Sequence, residues 1–245
     1  MRKKRKRNVN SRARKLNFVT QKDAPFNYRE AYKSLRTNIK FIAATENAKS
    51  FVITSALQME SKSNVATNLS ITLAEENKKV ILVDCDLRKP TIHKFFNLKT
   101  YNHGITNVLM GDCKLQEALY HIESLQIDIL PVGTVPPNPT ELLSMDKMKA
   151  ILDILRERYD YVIIDTPPVS VVTDATIVGG MADGVLLVVR SDYAPVEIIE
   201  LAKQKLEDVN VKIFGIILSR FNAKKTNKLS GYYYSYNDYY YGCKD

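Results

Sequence analysis

Three aspartates close apolar runs in this sequence: Asp84 and Asp86 in KVILVDCDLRKP, and Asp165 in YVIIDTPP. A carboxylate at the end of a strand can hold a divalent cation or take a proton from a hydroxyl. Two residues apart on an extended chain, Asp84 and Asp86 would point the same way and share such work. Upstream, an apolar run ending at Ser55 leads through ALQMESKSN, with Lys62 and Ser63 in succession. That is the order of a phosphate loop, where backbone N–H groups at a helix start wrap phosphate oxygens, a lysine neutralises charge and a hydroxyl reaches Mg²⁺. The glycines are missing: in the pattern G-x-x-x-x-G-K-[ST], Ala56 and Ser61 hold the glycine positions. ESKSN alone reads as an ordinary helix start, and one strand-end aspartate as a loop cap. Three such elements in this order are harder to obtain by chance, and they point to Mg²⁺ and nucleotide chemistry.

A second set of reactive groups lies at the other end of the chain. Tyr232, Tyr233, Tyr234, Tyr236, Tyr239, Tyr240 and Tyr241 make up half of the 14 tyrosines. They read either as a low-complexity aromatic segment that sticks to a partner or as phosphate acceptors. Gly231, Asn237, Asp238 and Gly242 bracket them, which does not suit a core strand. Each phosphate would add about −1.5 to −2 charges, so several in one short tail would repel one another.

The elements that must position these groups follow from hydrophobic pattern. Short apolar runs recur at 50–55, 79–84, 125–132, 161–165, 184–189 and 214–218, with helix-like stretches at 62–77, 140–158 and 195–209 between them. A further helical period, with Leu35, Ile39 and Ile42 on one face, spans 28–44. Continuous apolar strands alternating with helices predict an α/β fold, a doubly wound, mostly parallel sheet covered on both faces. Ligands bind such sheets at the carboxyl ends of the strands, where Ser55, Asp84 and Asp165 lie. The expected organisation is a basic arm over 1–27, one nucleotide-binding domain over 28–221 and a tyrosine-rich tail over 222–245.

Composition narrows the setting. Residues 1–15 carry nine of the 36 Lys and Arg and no acid, so the other 230 residues hold 27 basic and 27 acidic groups and are formally neutral. Such an arm reads as solvated, or as attracted to an anionic membrane surface, with nucleic acid the least expected partner. Cys85, Cys113 and Cys243 are odd in number and widely spaced, which argues for a reducing compartment. No stretch nears the roughly 18 apolar residues of a membrane span. A soluble, cytoplasmic chain is expected.

DCDLRKP (84–90), GTVPPNPTELL (133–143), YDYVIIDTPPVSVVTDA (159–175) and DGVLLVVRS (183–191), together with the tyrosine tail, resemble the bacterial tyrosine kinases that regulate capsule and exopolysaccharide synthesis. The likeness is to the separate cytoplasmic form of Gram-positive bacteria and spans roughly 28–245. It implies a phosphate-loop NTPase fold that uses ATP and Mg²⁺ to phosphorylate its own tail tyrosines. By that resemblance Gln58, Met59, Glu60, Ser61, Lys62, Ser63 and Asn64 cradle the nucleotide, with Lys62 on the β- and γ-phosphates. Ser63, Asp86 and Asp165 hold the metal, and Asp84 and Asp86 position the acceptor hydroxyl, Asp84 taking its proton. Partners implied are a membrane-embedded activator or polysaccharide co-polymerase, further copies of the chain in a ring, and a tyrosine phosphatase. Recruitment would be to the inner face of the membrane. The family's E-x-x-R-x-x-R assembly helix reads Glu30, Lys33 and Arg36 here, the lysine keeping charge but losing the guanidinium fork.

Departures keep other readings open. The family loop is Pro-Gly-x-Gly-Lys-Ser/Thr-Thr, so Gln58, Met59 and Ser61 replace the proline and both glycines. Ser219 stands where relatives of this fold often set an asparagine against adenine, with Arg220 beside it to stack on the base instead. The chain therefore reads as an autophosphorylating kinase, as a weakened regulatory partner phosphorylated in trans by a paralogue, or as a positioning ATPase of related fold. The last of these has no use for a tyrosine tail.

Overall fold

The computed structural model describes residues 18–21, 24–98 and 102–221. Their strands are β1 (Ser50–Ser55), β2 (Val80–Asp84), β3 (Tyr120–Ile122), β4 (Ile127–Leu130), β5 (Tyr161–Asp165), β6 (Gly184–Arg190) and β7 (Ile213–Ser219). They form a single sheet in the order β3-β4-β2-β5-β1-β6-β7. Every pairing is parallel except β3 on β4. Side chains in β1, β2 and β5 are buried along their whole length, the signature of a sheet covered on both faces.

The helices are α1 (Phe26–Glu46), α2 (Lys62–Ala74), α3 (Ile92–Phe95), α4 (Ile105–Met110), α5 (Pro139–Leu143), α6 (Asp146–Arg158), α7 (Asp174–Met181) and α8 (Val196–Glu207). One face of the sheet packs on α1 and α2 through Tyr32, Ile39, Val65, Leu69 and Leu73. The other packs on α5 to α8 through Leu143, Leu152, Val178, Ala202 and Leu206. The sheet is thus doubly wound, as the alternating pattern predicts.

The expected strands all form, but two details differ. The run 125–132 narrows to Ile127–Leu130 because Gln126 turns back with φ 54°, and Tyr120–Ile122 adds an antiparallel edge strand that the sequence pattern missed. The single helix expected over 140–158 divides at Ser144 and Met145. The Ser144 hydroxyl and N–H both donate to Thr140 O, and Met145 is extended at ψ 144°. The helix expected over 62–77 stops at Ala74.

Where the end of β4 meets the start of α4 the two backbones nearly touch. A Cβ on Gly104 would stand 2.2 Å from Gly133 N and 2.4 Å from Pro131 O. Only glycine fits there.

Register brings the chemistry together. β5 lies between β2 and β1, with Asp84 directly opposite Asp165. The Cys85 N–H continues the pairing by donating to Asp165 O at 2.8 Å. The loop leaving β1 therefore faces both carboxylates at the same end of the sheet.

Candidate nucleotide and metal site

The loop between β1 and α2 keeps the left-handed turns of a phosphate loop without its glycines. Met59 has φ 68° and Ser61 φ 73°. The Met59 side chain is half exposed. Glu60 points inward and is fully buried. Its carboxylate accepts the Leu57 N–H at 2.6 Å and the Arg190 N–H at 3.1 Å. The Ser219 hydroxyl donates to Glu60 O at 2.8 Å, and Arg220 Nε donates to Ser61 Oγ at 3.0 Å. Ser219 and Arg220, expected beside an adenine base, both reach the loop. Gln58 is exposed, and Ser61 O accepts the Val65 N–H that opens α2.

Lys62 extends from α2 into the carboxylates. Its Nζ lies 2.9 Å from Asp86 Oδ2, 3.5 Å from Asp165 Oδ1 and 3.3 Å from Ser63 Oγ. Burial alone would lower the lysine's pKa, but the pull of Asp165, Asp86 and Asp84 outweighs it and holds the ammonium charged. Asp84 is a hub for its own loop. Oδ1 accepts the Asp86 N–H at 3.1 Å, and Oδ2 accepts the Thr91 and Ile92 N–H groups at 3.2 and 3.1 Å. Burial, then the neighbouring Asp165 charge, pushes its pKa up to about 8. Asp165 is also raised, chiefly by burial and against the lowering effect of Lys62 and Ser63.

One oxygen of this cluster has no partner: Asp165 Oδ2 is buried and accepts no hydrogen bond. A buried unpaired carboxylate oxygen is costly, and a cation would relieve it. With Ser63 Oγ and Asp86 the donors are all oxygen, which suits Mg²⁺. Among the described residues no three His, Cys, Asp or Glu side chains form a metal cage. Mg²⁺ needs none, since it takes one or two carboxylates and leaves its remaining positions to phosphate and water.

Several supporting residues carry no local sequence signal. Arg88 donates through Nε to Asp174 Oδ2 at 2.9 Å and through one Nη to Thr140 Oγ1 at 2.8 Å, tying the Asp86 loop to α5 and α7. Asn64, at the family's threonine position, accepts both the Tyr28 and Tyr32 hydroxyls at 3.2 and 3.3 Å, which links α1 to the loop's helix. Of the expected assembly residues, Glu30 and Lys33 form an exposed ion pair at 2.7 Å. Arg36 is bound within the molecule, to Thr72 O, Glu75 and Glu76. The tail tyrosines Tyr232 to Tyr241 and residues 1–17 of the basic arm lie outside the described residues, whereas farther along the arm the Val19 N–H donates to Asn68 Oδ1 at 2.7 Å and Phe18 stacks on Phe96. A cleft of about 510 Å³ opens at the far end of the sheet, beside Lys79, His121, Asp128 and Tyr159. It is remote from the strand ends where the carboxylates meet.

Comparison with known proteins agrees with this fold. The AAA domain family matches residues 60–213. The chain is 41% identical to the tyrosine-protein kinase YwqD of Bacillus subtilis, over 88% of this chain and 87% of that one. It superposes on the kinase domain of the Escherichia coli tyrosine kinase ETK with a TM-score of 0.79 at 33% identity, covering 83% of this chain and 79% of that one. It also superposes on the Pyrococcus horikoshii septum site-determining protein MinD, solved with Mg-ADP, at a TM-score of 0.62 and 26% identity over 71% of each chain. Among the described residues no helix is long and apolar enough to cross a membrane.

Proposed function

The chain belongs to the bacterial tyrosine kinases, and on that premise we propose that it transfers the γ-phosphoryl group of Mg²⁺-ATP to the tyrosines of its own C-terminal tail, presented by a neighbouring copy. The observation that carries this reading is the convergence of Lys62, Ser63, Asp86 and Asp165 at one point, with Asp165 Oδ2 unpaired.

The chain's own residues would act as follows. The N–H groups of 58–64 face the phosphates, and Lys62 turns from the carboxylates to the β- and γ-phosphates, uncovering Asp86. Ser63, Asp86 and Asp165 hold Mg²⁺, which neutralises phosphate charge when bound. The tyrosine Oη forms its bond to the γ-phosphorus as the bond to the β,γ-bridging oxygen breaks, leaving ADP. Its proton passes to a carboxylate. A phenol of pKa near 10 needs such an acceptor at neutral pH. Asp84, held by three N–H groups and raised to about 8, suits the task of fixing its loop. It also takes the tyrosine proton, the role that the resemblance gives it, while Asp86 stays on the metal. Accurate placement and charge neutralisation supply most of the rate.

The process served, on this reading, is capsular or exopolysaccharide synthesis and export. The kinase would be held at the inner membrane face by a membrane-embedded activator, assembled with further copies, and reset by a tyrosine phosphatase. To test it, the full chain is incubated with Mg²⁺-ATP and the activator's cytoplasmic fragment and probed for phosphotyrosine. Signal in the native chain and none in Lys62→Met is the expected result. No signal in the native chain, with phosphorylation only when an intact paralogue is added, would favour a regulatory partner instead.

A further inference from the structure

The phosphate loop holds two non-glycine residues, Met59 and Ser61, in the left-handed region. Each such residue costs on the order of 1–3 kcal/mol and persists only where its surroundings over-determine it. The restraints come from the ends of β6 and β7. Arg190 N–H and the Ser219 hydroxyl fix Glu60 at both its side chain and its carbonyl, and Arg220 Nε holds Ser61 Oγ at 3.0 Å. Arg220 itself has φ 53°, so two left-handed residues, 159 positions apart in sequence, face each other across one hydrogen bond. That bond has no counterpart in a loop with glycine at this place, because glycine has no Oγ. The side chain that strains the loop is also the handle by which it is held.

We infer that Arg220 is a positioning residue for nucleotide binding, acting through Ser61 to keep a glycine-free loop in the shape that receives phosphate. The inference rests on the nucleotide-site reading above. It assigns Arg220 neither to the adenine base nor to the phosphates. Its action is therefore conditional on the residue at position 61, and charge alone does not replace it.

A double-mutant cycle on the full chain tests this, with Ser61→Gly, Arg220→Ala and the pair, read by calorimetric titration with Mg²⁺-ADP. Arg220→Ala should weaken binding about tenfold when Ser61 is present, and by less than about twofold in the Ser61→Gly background. Arg220→Lys, which keeps the charge and loses Nε, should behave as Arg220→Ala does. Equal losses in both backgrounds, or full rescue by lysine, would overturn the inference in favour of direct contact with the nucleotide. Amide hydrogen exchange over 57–64 without nucleotide gives a second readout. Arg220→Ala should speed it about tenfold, and unchanged exchange overturns the inference. If the native chain takes up no Mg²⁺-ADP, the nucleotide reading fails by itself, and the exchange comparison still decides whether Arg220 holds the loop.

Discussion

Asp84 and Asp165 stand opposite each other in register, both fully buried, and the Lys62 ammonium is paired to Asp86 and Asp165. Crowding like charges away from water has a consequence for stability. An aspartate in the unfolded chain loses its proton near pH 4, whereas folded Asp84 keeps it up to about 8. Between those values the folded state binds more protons, so stability falls as pH rises and levels off above about 8. Denaturation of the nucleotide-free chain at pH 5, 6.5 and 8 should show that slope, and Asp84→Asn should flatten it. Asp165→Asn removes the charge next to Asp84 and should make the empty protein more stable at pH 8. It should also cut phosphotransfer by about a hundredfold or more, a trade of stability against function. Lys62, Ser63 and the three aspartates were legible in the sequence because each sits at a strand end or helix start. Glu60 turning inward was not, nor was the Arg88–Asp174–Thr140 cluster, whose members are 34 to 86 residues apart and share no local pattern.

Strands buried on both faces leave continuous apolar runs, so the elements under the site could be read directly from sequence. The order in which they pair could not, and it is the order that sets Asp84 against Asp165. The missed edge strand Tyr120–Ile122 is three residues long with its middle side chain exposed, too short for a periodic signal. The break between α5 and α6 falls at Met145, extended at ψ 144°, a local turn that hydrophobic pattern does not record. Gly104→Ala would drive a Cβ into the backbone of Gly133, and we expect a loss of about 3 kcal/mol in urea denaturation. On α1 the assembly residues should separate by role. Arg36→Ala removes bonds to α2 and should cost about 1 kcal/mol. Lys33→Ala breaks an exposed pair and should change stability by less than about 0.5 kcal/mol. If Lys33 serves assembly, its loss should lower the sedimenting multimer fraction without altering the melting curve of the protomer.

Taken whole, the sequence sets a basic run of 15 residues before 230 that are formally neutral and end in a tyrosine-rich stretch, a pattern plain from charge and composition. The domain has the doubly wound sheet that its alternating runs predict, with the site at the carboxyl ends of β1, β2 and β5. What composition could not tell is whether a loop without glycine retains its shape. Here Met59 and Ser61 take the left-handed region, and contacts from the ends of the two last strands hold the residues beside and at Ser61. The central claim, that this chain's own site phosphorylates the tail of another copy, is tested by mixing two variants. One is Lys62→Met with its tail intact. The other has a native site and all seven tail tyrosines from Tyr232 to Tyr241 changed to phenylalanine. With Mg²⁺-ATP and the activator fragment present, phosphotyrosine should appear on the Lys62→Met chain only when the second variant is added. A Lys62→Met chain that stays unmodified in that mixture, yet is phosphorylated when an intact paralogue replaces the second variant, would contradict the account.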